Sequence, residues 1–233
     1  MEQGIRINKY LSEAGICSRR QADNIVEAGE VTVNGEQAVL GTRVFSDSIV
    51  KYRGKLVKPI KKKIIYAYNK PMGLVCTSKD ADRDSIFNYA DFPERVNYVG
   101  RLDKDSQGLL LLTNDGELAN SIQKSVNNHE KEYHVRVNQD ITDEFISNMS
   151  KGVPILDTVT KKCKVIKTGT RTFKIILTQG LNRQIRRMCE QLGYRVVHLK
   201  RVRIMNVVLG DLRPGDFRVL SADEEKRLRI SCR

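Results

Sequence analysis

The stretch GRLDKDSQGLLLLTNDG, residues 100–116, places Asp103, Asp105 and Asp115 at the two ends of four consecutive leucines. A carboxylate fixed beside a buried strand can serve as a general base or as a nucleophile. Asp115 sits in an Asn-Asp-Gly turn whose geometry already accounts for it. Asp105, close to Ser106 and Gly108, is accounted for by a loop. Asp103 follows Arg101 and Leu102 with no turn residue adjoining, and its ordinary alternative is a loop aspartate ion-paired to Arg101. Tyr133 raises a similar question inside KEYHVRV, because most strand tyrosines are core packing with a polar tip. The third group is cationic: NRQIRRM carries Arg183, Arg186 and Arg187, and HLKRVRIM carries Lys200, Arg201 and Arg203.

Other chemistries lack their residues. His134 and His198 have no metal-ligand spacing, no HExxH occurs, and the five cysteines (Cys17, Cys76, Cys163, Cys189 and Cys232) form no CxxC pair. The expectation is therefore no metal catalysis and no disulfide framework, in a reducing cytoplasm. Serine-hydrolase elbows, phosphate-binding P-loops and dinucleotide GxGxxG stretches are absent. A glycoside hydrolase would need a second carboxylate facing the first, and nothing directs Asp105 to that site.

The chain has 233 residues, 41 Lys plus Arg against 28 Asp plus Glu, and a net charge of +13. The excess is concentrated: residues 161–203 hold 13 basic residues and a single acid, Glu190. Surfaces usually mix signs, so this bias points to a phosphate track and to nucleic acid, with an anionic membrane surface the weaker candidate. No apolar run reaches the roughly 18 residues of a membrane span, and MEQGIRINKYL lacks the apolar core of a signal peptide. The expected partner is nucleic acid and the expected state a monomer off the membrane.

The elements that must position these groups divide in two. INKYLSEAGICSRRQADNIVEAGEVTVNGEQ reads as helix, turn, helix, strand. Ser18 is the N-cap of the second helix, and Asn34-Gly35 is a hairpin turn. Arg19 and Arg20 open that second helix, where backbone N–H groups and the dipole favour phosphate; ordinary surface charges are the alternative. Residues 1–53 form this unit and the lysine-rich, proline-interrupted segment 54–62 a linker, leaving 63–233 as the larger domain. There, IIYAYNKP, KEYHVRV, KKCKVIK and TFKIILT read as strands, and Leu109–Leu112 as a central strand covered on both faces. GELANSIQKSV, TDEFISNMSKG, RQIRRMCEQLG and ADEEKRLRI read as helices. The fold class is α+β with a mixed, mainly antiparallel sheet.

In this order, GRLDKDSQGLLLLTNDGELAN, KEYHVRV and QGLNRQIRRMCEQLGYRVVHLKRVRIMNV resemble the catalytic motifs of the bacterial ribosomal pseudouridine synthases of the RsuA and RluF type. The N-terminal unit resembles their S4-type RNA-binding module. The resemblance implies cofactor-free isomerisation of uridine: the bond to N1 breaks, the base turns, and a bond to C5 forms. It makes Asp103 the catalytic carboxylate, Tyr133 the residue stacked on the target base, and Arg186 the partner that keeps Asp103 charged. Arg101, Leu102, Lys104, Arg183, Gln184, Ile185, Arg187, Lys200 and Arg201 are carried over as RNA contacts, with Arg19 and Arg20 on the S4-type unit. Residue types leave open whether Asp103 attacks the sugar C1′, attacks the base or takes a sugar proton. VRIMNVVLGDLRPGDFRVLSADE is closer to the large-subunit enzymes, which implies 23S rRNA as substrate and a tRNA as a second one. The alternative function is a non-catalytic rRNA-binding or ribosome-assembly factor.

Overall fold

The hydroxyl of Ser18 accepts from Gln21 N while the Gln21 side chain accepts from Ser18 N, and this reciprocal cap starts α2 (Arg19–Glu27) behind α1 (Ile7–Glu13). The computed structural model describes residues 3–60, 62–77, 82–124 and 128–232, and it divides between Lys63 and Ile64 into two compact units. In the first, β1 (Ile5–Arg6) pairs with β4 (Arg43–Val44), and β2 (Val31–Val33), β3 (Glu36–Gln37), β5 (Val50–Tyr52) and β6 (Lys55–Leu56) form a sheet in the order β3-β2-β5-β6. Asn34 and Gly35, both at positive φ (54° and 93°), make the expected hairpin turn. Ile7, Leu11, Ala22, Val26, Val31 and Val50 fill the core.

The expected linker is displaced. Arg53 and Gly54 also take positive φ, 48° and 76°, so a second hairpin returns the chain through β6. Val57 is buried and its carbonyl accepts from the Tyr10 hydroxyl at 3.0 Å. Residues 54–57 therefore belong to the first unit.

The second unit is built on β7 (Ile65–Lys70), β8 (Asn97–Val99), β9 (Gln107–Thr113), β10 (Lys131–Val137), β13 (Lys164–Gly169), β14 (Thr172–Leu177), β15 (Val196–Ile204), β16 (Val207–Val208) and β17 (Phe217–Val219). Its main order is β13-β14-β10-β15-β9-β7-β17, with β8 on β9 and β16 on β15, and all pairs are antiparallel except β15 with β9. The α+β, mainly antiparallel expectation holds. A short hairpin of β11 (Pro154–Ile155) and β12 (Thr158–Val159) stands apart from this sheet.

Around it lie α3 (Ile86–Tyr89), α4 (Gly116–Gln123), α5 (Asp143–Lys151), α6 (Gln184–Gln191) and α7 (Ala222–Ser231). The predicted helix GELANSIQKSV is observed to Gln123, and residues 125–127 lie outside the described ones. Asp115 does more than turn the chain: its carboxylate caps α4 through Leu118 N and pairs with Arg229 at 2.8 Å.

Leu109 to Leu112 are fully buried, as a doubly covered strand requires. Leu109 and Leu111 face Ile65, Leu118, Ile122 and Leu228, whereas Leu110 and Leu112 face Tyr66, Tyr68 and Ile86. Each fully buried leucine contributes roughly 1.5–3 kcal/mol. Farther along the sheet, α5 and α6 pack Phe145, Met149, Ile185 and Met188 onto Val135, Phe173, Ile175 and Leu199. Among the described residues no helix is long and apolar enough to cross a membrane.

Candidate active site

The loop before β9 is fixed by its carbonyls. Leu102 O accepts from the Cys76 thiol (3.5 Å), Asp103 O from Ser106 N (3.0 Å) and Lys104 O from Gly73 N (2.9 Å). Asp105 O accepts from Arg186 Nη2 at 2.9 Å and Ser106 O from Lys70 Nζ at 2.9 Å. Every carbonyl from 102 to 106 thus has a donor, contributed by the end of β7 and the segment after it, by the loop's own turn and by α6. Backbone held this completely sets where the Asp103 side chain can point.

Gly108 closes the loop onto the sheet. Its φ is +108°, and a Cβ there would lie 2.2 Å from Arg201 O, because β15 runs beside β9 at this point. Only glycine allows both the dihedral and the approach. The same register sets Gly108 next to Arg201 and Arg201 next to Tyr133, one row across β9, β15 and β10. Tyr133 is half-buried and packs against the α5/α6 core.

The cation facing Asp103 is Arg183, not Arg186. Arg183 Nη1 lies 4.0 Å from Asp103 Oδ2 and 3.8 Å from Asp105 Oδ2. Asp103 keeps 32% of its side chain exposed, enough for a substrate to reach it. Arg183 occupies the N-cap of α6 in the left-handed region (φ 50°, ψ 32°), which a bulky residue rarely adopts. Arg186, one turn on, is buried, and its guanidinium donates to Asp105 O, to Ser106 Oγ at 3.3 Å and to Val196 O at 3.4 Å. It holds the loop's backbone, so the expected Asp103–Arg186 ion pair is corrected to a backbone anchor.

Four further expectations give way to burial. Leu102, Gln184, Ile185 and Arg201 are buried, with 3–7% of each exposed. Ile185 is core; Gln184 accepts from Leu181 N; Arg201 Nε donates to Leu109 O at 2.7 Å. The burial follows from geometry: adjacent strand residues face opposite ways, and α6 must turn one side inward. Lys200 consequently stands on the sheet face opposite Arg201.

The remaining positions are accessible. Arg101 is exposed, Lys104 reaches Asp84 at 2.6 Å, Arg187 donates to Asn182, and Arg19 and Arg20 are exposed at the start of α2. The Asp84 carboxylate raises the Lys104 pKa. Among the described residues no group of three His, Cys, Asp or Glu side chains is placed to hold a metal.

Lys70 was not anticipated. It is fully buried and donates to both Pro71 O and Ser106 O, each at 2.9 Å. Burial pulls its pKa down to about 8 against the opposing pull of Cys76, Asp103 and Asp105, and Arg201 lowers it further. Burial also raises the Cys76 thiol. The available signal was the lysine-proline step ending an apolar strand, where a cation is out of place unless it bonds to something.

Residues 64–191 match the family described as RNA pseudouridylate synthase, and residues 5–44 match the S4 domain. The chain is 52% identical over 221 residues to the dual-specificity RNA pseudouridine synthase RluF of Salmonella typhi, spanning 94% of this chain and 76% of that one. It is 32% identical over 233 residues to the ribosomal large subunit pseudouridine synthase B of Bacillus subtilis, spanning 96% and 95%. A crystal structure of a pseudouridylate synthase is similar at a TM-score of 0.71 and 28% identity, over 96% of this chain and 99% of that one.

Proposed function

This chain belongs to the RNA pseudouridylate synthase family, and on that premise we propose that it isomerises a uridine of large-subunit rRNA, with a tRNA as a second substrate, using Asp103 as the catalytic carboxylate. The observation that carries this reading is the loop 102–106, every carbonyl of which is bonded, with the partly exposed Asp103 side chain at its centre. The word dual-specificity in one relative's name and large subunit in another's support the two substrates.

In the reaction the N1–C1′ bond breaks, the base turns within the site, C5 bonds to C1′, and the proton on C5 is lost as N1 gains one. Substrate and product have the same composition, so no redox partner is needed. A base stacked in RNA does not expose its sugar carbon, and extruding it costs roughly a few kcal/mol. Stacking on Tyr133 offsets part of that cost, by roughly 1–3 kcal/mol. Arg183 sets its positive charge 4.0 Å from the Asp103 carboxylate, facing the side that RNA covers. Arg186 and Lys70 act on position: they hold the backbone that carries Asp103.

The test is pseudouridine mapping of total RNA from cells with and without the gene. Loss of a large-subunit signal on deletion, restored by the wild-type gene, is expected. An unchanged map would remove the proposal and favour a binding or assembly role.

A further inference from the structure

The sheet of the second unit is covered by α5 and α6 on one face of β13, β14, β10 and β15, where Val135, Phe173, Ile175 and Leu199 point. The opposite face is exposed or half-exposed, and its register assembles cations. Lys174, His134 and Lys200 stand in one row across β14, β10 and β15. Thr172, Arg136 and His198 form the next row, and edge strand β13 adds Lys164. Among the described residues of these four strands the single carboxylate is Glu132, which Arg203 holds at 3.1 Å and His134 approaches at 3.7 Å.

Packing does not call for Lys164, Lys174, Lys200 and Arg136 on one face with a single carboxylate, since surfaces usually mix signs. The crowding is visible in the imidazoles. Burial lowers the His134 pKa and Lys174 and Lys200 lower it further; burial lowers that of His198, with Lys200, Arg136 and Arg186 adding to it. Strand spacing puts Lys174 and Lys200, on either side of His134, roughly 10 Å apart, with Arg136 two residues along β10 from His134. A grid of that repeat suits a polymer of regularly spaced anions better than one small ion. Ile166 and Ile176 stand among these positions, too little apolar surface beside four lysines and arginines for a lipid interface. Lys200 also lies beside Gln107, so the grid adjoins the strand that carries the catalytic loop.

We infer that this open sheet face, through Arg136, Lys174 and Lys164 together with His134 and His198, binds the sugar-phosphate backbone of RNA flanking the target, a second contact surface on the opposite side of the sheet from Tyr133. The inference rests on the chain acting on RNA. It implies that a large folded RNA is held on two faces, whereas a minimal stem-loop engages the catalytic side alone.

The experiment compares the full chain with the double variant Arg136→Glu/Lys174→Glu on two probes, a 23S rRNA transcript and a short stem-loop around the mapped uridine. On the long RNA, KM is expected to rise about tenfold or more and the log–log salt slope of binding to fall by about two. On the stem-loop, kcat and KM stay at wild-type values, which also shows that the variant is folded. Should the double variant not fold, Arg136→Gln and Lys174→Gln are each expected to lower the long-RNA slope by about one. Wild-type KM and slope on the long RNA would overturn the inference, and so would equal losses on both probes. Inactivity of the wild-type chain on either RNA would instead count against the proposed reaction.

Discussion

Replacing Lys70 by methionine separates the anchoring of the catalytic loop from the stability of the fold. The side chain keeps its length and loses its ammonium. At neutral pH the charge is held at a cost, because a folded pKa of about 8 against an ordinary 10.5 corresponds to about 3 kcal/mol. Methionine removes that cost but leaves Pro71 O and Ser106 O without their donor, at about 1–3 kcal/mol for each buried carbonyl. The opposing effects leave a net change between a gain of about 1 kcal/mol and a loss of about 3 kcal/mol. Catalysis has no such compensation: a loop freed at Ser106 O lets Asp103 move, and a misplacement of about 1 Å costs about 100-fold in rate. The expected signature is a large fall in kcat with KM and the denaturation midpoint little changed.

The pH dependence has a definite sign. Below pH 8 Lys70 is charged in both states; between about 8 and 10.5 the unfolded chain holds more proton than the folded one. Lys70 thus makes wild-type stability rise with pH across that window, by up to about 3 kcal/mol, and Lys70→Met lacks this contribution. The assays are denaturant unfolding from pH 7 to 10 and single-turnover pseudouridine formation. Wild-type kcat together with a parallel stability profile would refute the anchoring role.

Gly108→Ala forces a Cβ to within 2.2 Å of Arg201 O at φ +108°, so unfolding in urea should show a loss of about 1–3 kcal/mol or more, with activity falling in parallel; a wild-type midpoint would contradict the close approach. Arg183→Met removes the cation facing Asp103 and should lower kcat about 10- to 100-fold with a small change in KM. Arg183→Lys, which keeps the charge, should recover part of it, and equal loss in both variants would point to the left-handed backbone instead.

Much of this was legible where one physical requirement dominated. Four leucines, too few for an average helix, suit a doubly buried strand, and Ser18 with Gln21 makes a capping box. The fixed order of GRLD, KEYHVRV and NRQIRRM carried the resemblance to the family the chain belongs to. Side-chain direction was less accessible. A motif mixes residues that meet RNA with residues that hold it in place, which is why Leu102, Gln184, Ile185 and Arg201 were assigned to RNA and are buried. For Lys200 and Arg201 strand alternation was sufficient to exclude a shared face. The exchange of Arg186 for Arg183 was not readable, because it depends on a left-handed dihedral at a non-glycine residue. Lys70 was hidden by its type: a lysine is expected at the surface, and its bonds to Pro71 O and Ser106 O explain its burial.

The most direct test of Asp103 is tritium release from RNA labelled at C5 of uridine, measured with wild-type chain and with Asp103→Asn, which matches the side chain in shape and removes its charge. Expected is one tritium released per pseudouridine formed by the wild type, and background release by Asp103→Asn with RNA affinity within about twofold, since phosphate contacts rather than Asp103 govern binding. Release by Asp103→Asn at the wild-type rate would contradict the assignment of the chemistry to Asp103.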